Sequence, residues 1–364
     1  MPDRTADLIV TNAKVLTVDP ADRIAEAVAV GGERILAVGS AAEIGAFAAD
    51  GTHIIDAGGR AVIPGMVDGH AHMDREGLKG VFPSLEGCRS VGDVLDRIRA
   101  LTEKAAPGEW IVTMPVGDPP YYWNVPACLA ENRFPTRQEL DEAAPDNPVY
   151  IRPIWGFWRH QMPLESVANT RALELAGITK ATTPETDTIT FEKGPDGELT
   201  GLIREMTYMP VAELGYFHMA PRFTHDDRVA GLKRAMRLYN STGTTSVVEE
   251  HGAAQELIAT YQAVNAAGAA TARAHLFYSP AWGGTQNVEY DTVLQNWAGW
   301  LGKRGLGDFW LRVAGMFTDA GMDADAVFRA TAAPYTGWSG FNYDNGVPQN
   351  RMVEFMVEAA RNDI

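Results

Sequence analysis

Two pairs of metal-ligand side chains stand two residues apart in this sequence: His70 with His72, and Glu249 with His251. In an extended chain, side chains two apart leave the same face, so each pair would present both members to one side. Imidazole nitrogens and carboxylate oxygens are ligands for zinc or a similar divalent ion, which brings the pKa of a bound water near neutrality. The first pair closes the apolar run from Ala61 to His72. In that run Pro64-Gly65 interrupts the strand, Gly69 lets the backbone approach a ligand, and Asp68 is placed to hold an imidazole in one tautomer. The second pair ends the strand Thr244 to His251, whose Glu249 and Glu250 would otherwise be a solvated acidic loop. His275 lies inside a strand and reads as a buried, hydrogen-bonded group rather than a ligand.

The elements that must position these side chains fall into three parts. Residues 1–60 carry short β-branched runs, Leu8 to Val10, Lys14 to Val18 and Ala27 to Val30, with Gly31-Gly32 joining the last to Arg34–Val38 as a hairpin. So small a sheet is marginal alone and needs partner strands. Residues 61–78 and 222–364 form a βα rhythm. Thr224 and Asp227 open a helix that Gly243 ends, and strands are expected at 244–251, 272–278 and 311–318, with helices at 255–267, 292–301 and 350–360. Alternation of this kind means a parallel sheet. Between these parts, residues 79–221 are rich in Pro, Gly and aromatics, with helix-like pieces at 91–104 and 164–175, and read as an insertion after the first strand.

Pro64-Gly-Met-Val-Asp-Gly-His-Ala-His72 resembles the first barrel strand of the amidohydrolase superfamily, nearest the branch of the N-substituted formamide deformylases. Asn169-Thr-Arg-Ala-Leu173 after His160, and Gly197-Glu-Leu-Thr-Gly-Leu-Ile-Arg-Glu205, are similar to further segments of that branch. The resemblance implies an α/β fold, a (β/α)8 TIM barrel with a composite β-sandwich to which residues 1–60 contribute, and the insertion over the barrel mouth. It implies hydrolysis of amides, N-substituted formamides or related non-peptide C–N bonds by a metal-activated water. The cofactor would be a divalent metal, zinc above others, as one or two ions. His70, His72, Glu249 and His251 would hold it. His160, Trp123, Trp158 and Asp319 would face the substrate. For His160 the alternative is a satisfied interior histidine, and for the aromatics, Tyr121, Tyr122, Trp155 and Phe157 included, it is core packing.

The sequence departs from the family in two ways. Many members bridge two metals with a carboxylated lysine on strand four, and Leu311 to Thr318 contains no lysine. Either Glu249 replaces it or the site holds one metal. The chain also supplies four barrel strands where a closed barrel needs eight. The aspartate that in the family takes the proton on strand eight would be expected beyond residue 364, so the catalytic residue itself is unassigned. The sequence therefore looks like the N-terminal portion of a longer enzyme, expected to bind metal weakly and turn over poorly by itself. Four strands standing alone would need a homo-oligomer or another partner. A scaffold protein that kept the fold without the chemistry, and a hydrolytic ring deaminase, are the alternatives.

Composition narrows the partners. With 31 basic and 47 acidic residues the formal charge is -16, which repels phosphate backbones and anionic lipid. Nucleic acid and membrane are thus not expected, and a small amide-type molecule is. Met1 to Asp7 lacks the apolar stretch of a signal peptide and only Cys88 and Cys128 are present, which suits a reducing cytoplasm. No glycine-rich phosphate loop and no G-x-S-x-G elbow occurs.

Overall fold

The computed structural model describes residues 5–155, 161–282, 287–321, 324–330, 336–338, 340 and 342–364. It divides into two units, 1–67 and 68–364.

In the first unit, the four-stranded sheet runs in the order Arg34–Gly39, Ala27–Gly31, Leu8–Thr11, His53–Asp56. The hairpin at Gly31-Gly32 is present, with Gly32 at a φ of 56°, where a side chain is disfavoured. Ile9, Ala27, Ala29 and Ile44 close one face, and Ile44 comes from a short helix, Ala41–Gly45, that starts with a Ser40/Glu43 capping box. Three further short strands, Ile24–Ala25, Lys14–Leu16 and Ala61–Val62, make a second sheet.

The second unit contains the βα rhythm. Strands Thr244–Ala253, Arg273–Tyr278 and Leu311–Met316 pair in parallel, and Leu306–Gly307 pairs antiparallel at the outer edge. The other edge, beside Thr244–Ala253, is taken by the short strand that ends in Asp68. Helices His225–Ser241, Gln255–Ala266 and Tyr290–Leu301 alternate with these strands, and the Thr224/Asp227 capping box forms as its residue types require. The described strands make an open five-stranded sheet and not a closed barrel.

Two expectations are corrected in the insertion and the first strand. Leu164–Ala168 is a strand, and only Thr170–Leu175 is helical. Asn169 caps that helix, so the polar residue that reads as mid-helix is its boundary. The strand belongs to a sheet ordered Ile189–Lys193, Leu199–Glu205, Leu164–Ala168, Val149–Ile151, Ile111–Thr113, packed against the helix Val91–Thr102. The break at Pro64-Gly65 separates the strands Ala61–Val62 and Met66–Asp68, but the two histidines do not end the second strand. Extended pairing stops at Asp68, and His72 is already the residue before the helix Met73–Leu78. His275, expected to be buried, is exposed on the face opposite Ala274 and Leu276.

The helix Met73–Leu78 is pinned where it starts and along its length. The N–H of Ala71 donates to the carbonyl of Val248 at 2.8 Å, fixing the histidine segment beside the strand Thr244–Ala253. Gly77 lies on Gly231 of the long helix so closely that a Cβ added to it would meet the Gly231 carbonyl oxygen at 2.1 Å. Only glycine permits that crossing.

Candidate metal centre

His70, His72 and His251 come together at this edge of the sheet. The Nε2 of His70 lies 3.2 Å from Nδ1 of His251, and the Nε2 of His72 lies 3.1 Å from the same atom. One ligand nitrogen from each of the three rings lies within 4.8 Å of the other two. In a tetrahedral zinc site with Zn–N of about 2.0–2.1 Å, neighbouring nitrogens stand about 3.4 Å apart, so three converging imidazoles fit such an ion.

The first two histidines meet in the turn after the strand, not on its face, with ring centroids 5.2 Å apart and nearly perpendicular planes. His251 joins them because the strand Thr244–Ala253 is irregular. Its register against the neighbouring strand shifts between Glu249 and Ala253, and Gly252 has a φ of 85°. Such a bulge breaks the period-two alternation.

Glu249 does not share the histidine site. Its Oε1 accepts the N–H of Met73 at 2.8 Å and the hydroxyl of Tyr261 at 2.6 Å, in a fully buried position. Burial, with the charge of neighbouring Asp74 second, pushes its carboxyl up to about 8. Glu249, expected to meet the same ion as His251, is not among the three side chains whose ligand atoms come together. The adjacent Glu250 takes part instead, its Oε2 lying 2.7 Å from Nδ1 of His70. Asp68, expected to hold an imidazole, accepts the backbone N–H of His70 at 3.0 Å.

Burial and the nearby Arg75 guanidinium, in that order, drive His72 down to about 2 and His251 down to about 4. Both rings are therefore neutral at physiological pH, the state in which imidazole binds metal. Arg75, itself buried, donates from NH1 to Nδ1 of His72 at 2.6 Å and lies over the ring of Trp155 at 5.3 Å.

A cavity of about 810 Å³ opens on the three histidines. Its wall includes Trp123 and Asp319, together with Tyr121, Trp155 and Phe317. Trp123 and Tyr121 are more than half exposed, with ring centroids 5.5 Å apart, whereas Tyr122 is buried and packs as core. His160, Trp158 and Phe157 lie outside the described residues. Sequence reasoning passed over Arg75, Glu76, Lys79 and Tyr239, which also line the cavity. The Met73–Leu78 helix carries Arg75 and Glu76, and Lys79 caps its C-terminal end; their nearness to His72 in the chain was the available signal.

Residues 53–363 match the profile of the amidohydrolase family. The chain belongs to that family. Among its relatives is an N-substituted formamide deformylase of Arthrobacter pascens, 32% identical over 250 residues, covering 66% of this chain and 42% of that protein. Another is the protein LONG AFTER FAR-RED 3 of Arabidopsis thaliana, 29% identical over 244 residues, covering 67% of this chain and 38% of that protein. The chain thus spans about two-fifths of the length of these relatives. An uncharacterized metal-dependent hydrolase of Pyrococcus furiosus has the same fold, with a TM-score of 0.61 at 20% identity over 98% of this chain and 65% of that one. No helix among the described residues is long and apolar enough to cross a membrane.

Proposed function

We propose that the chain carries the metal site of a hydrolase acting on non-peptide C–N bonds, with N-substituted formamides and simple amides as the substrate class. The convergence of His70, His72 and His251 on one cavity wall is the observation that carries this reading. Family membership and the formamide deformylase relative support it. A divalent ion, zinc before others, would supply a water ionised near neutral pH and a Lewis acid for the scissile carbonyl.

The chain's own groups fill the remaining roles. Nδ1 of His70 lies 2.7 Å from Oε2 of Glu250, a carboxylate that orients the ring with its Nε2 toward His251. Trp123 and Tyr121 present exposed aromatic faces on which a flat substituent would stack. Asp319, on the same wall, is assigned to substrate binding. The proton-transferring carboxylate is not assigned to any residue of this chain.

The test is amine release from a panel of N-substituted formamides and amides by zinc-loaded protein. Slow release that a chelator stops, and that His70→Ala and His251→Ala both abolish, is expected. Release indifferent to chelator and to both substitutions would contradict the proposal.

A further inference from the structure

The loop from Asp118 to Cys128 is held in a shape that turns two aromatic rings outward. The N–H of Tyr122 donates to the carbonyl of Asp118 at 2.9 Å, and that of Cys128 to the carbonyl of Asn124 at 2.6 Å. Tyr122 and Asn124 have φ of 53° and 61°, in the left-handed region that bulky side chains rarely adopt. Tyr122 is buried, while Tyr121 and Trp123 on either side of it in the chain stand more than half exposed. Strain of this kind persists where surrounding contacts enforce it, and its result here is the display of two rings.

These rings are common to two cavities. One is the cavity of about 810 Å³ that opens on the three histidines. The other, of about 420 Å³, is lined by the same Tyr121 and Trp123 together with Arg89, Asp118, Asn124 and Ala127. Its volume is that of a small-molecule site, yet none of the three histidines lines it. The charges in it are already matched. Arg89 donates from Nη1 and Nη2 to the two oxygens of Asp118 at 3.3 and 2.8 Å, and Asp118 also accepts the N–H of Gly87 at 2.9 Å. A carboxylate or ammonium would have to break this pair to find a counter-charge, whereas an uncharged group meets the carboxamide of Asn124, which both donates and accepts.

We propose that the second cavity is a subsite for the far end of the substrate: a ring on the N-substituent stacks on Tyr121 and Trp123, and an uncharged polar tail beyond it, an amide, hydroxyl or ether, hydrogen-bonds Asn124. This deepens the proposed function and rests on it, because it takes the reacting end of the substrate to lie at the histidines. Selectivity then favours elongated, ring-bearing formamides and amides over small ones.

Calorimetry on zinc-loaded protein tests this with formanilide and with para-extended formanilides whose short ether chain ends in a carboxamide, a carboxylate or an ammonium. The carboxamide derivative is expected to bind about tenfold more tightly than formanilide, and the two charged derivatives to gain nothing. Ala127→Trp, a substitution at an exposed position that fills the second cavity, should erase the gain. So should Asn124→Gly, which removes the carboxamide and suits a φ of 61°. Formanilide binding without any gain from the carboxamide tail, a gain that survives both substitutions, or a larger gain from a charged tail would each overturn the subsite and leave the proposed function standing. Failure of formanilide and all its derivatives to bind the zinc-loaded protein would count against both, which separates the two readings.

Discussion

Nε2 of His72 lies 3.1 Å from Nδ1 of His251, although 179 residues separate them in the chain. That closeness depends on two local devices: the Ala71–Val248 hydrogen bond, which ties the turn after Asp68 to the next strand, and the irregularity that turns His251 out of alternation with Glu249. Both are backbone features, so the centre is built by the chain path as much as by its ligands.

The first prediction separates the two neighbouring glutamates. Glu250→Ala removes the carboxylate beside Nδ1 of His70 and should weaken zinc binding by roughly 10- to 100-fold. Glu249→Gln, whose side chain is held by Met73 and Tyr261 away from the cluster, should leave zinc affinity unchanged. Calorimetric titration of both variants decides it, and the opposite ranking would return Glu249 to the ligand set.

Gly77→Ala tests the support beneath the histidine turn. The new Cβ would collide with the backbone of Gly231, 2.1 Å from its oxygen and 2.3 Å from its carbonyl carbon, and backbone yields less easily than a side-chain tip. Overpacking of this kind costs about 1–3 kcal/mol, and the upper end or beyond is expected here, read as a fall in the denaturant midpoint. Zinc affinity should fall with it, because the helix that moves begins at Met73, directly after His72.

A pH dependence follows from Glu205. Its carboxyl is fully buried, accepts the N–H of Ala212, and is raised by burial to about 8 from the usual carboxylate range. A carboxyl raised in the folded state contributes its full stability below about pH 4.5 and loses it as pH rises through about 8. The slope from this group is at most about 1.4 kcal/mol per pH unit. Denaturant titrations at pH 5 through 8 should show wild type losing ground to Glu205→Gln as pH rises; parallel curves would refute the assignment.

Trp123→Ala addresses the cavity wall. With the indole 58% exposed, the change should leave unfolding stability within about 0.5 kcal/mol. Binding of an aryl-substituted amide, followed by calorimetry, should weaken, while binding of a methyl-substituted one changes little. Equal effects on both ligands would remove Trp123 from substrate recognition.

Much of the fold was legible because it is written in local chemistry. Thr224 with Asp227 announced a helix start, Gly243 its ending, and the alternation of strands at 244–251, 272–278 and 311–318 with helices the parallel pairing. That His70, His72 and His251 stand close together was legible from residue type and spacing, though the face-sharing argument behind it was not how the structure unites them. The register shift between Glu249 and Ala253 was hidden for the same reason: it depends on pairing with a distant strand, and period-two reasoning cannot see it. The insertion sheet stayed hidden because its strands are short, and Leu164–Ala168 runs into its helix through a single capping asparagine. Arg75 was missed because its nearness to His72 in the chain carries no spacing rule of its own; the 2.6 Å contact is what gives that nearness a role.

The central claim is that one divalent ion is held by imidazoles from both segments, and X-ray absorption on the zinc-loaded protein tests it most directly. The account predicts a single zinc per chain with about three imidazole nitrogens at about 2.0–2.1 Å, and a loss of one imidazole in His251→Ala. A zinc shell made of oxygens alone, or one unchanged by His251→Ala, would contradict it.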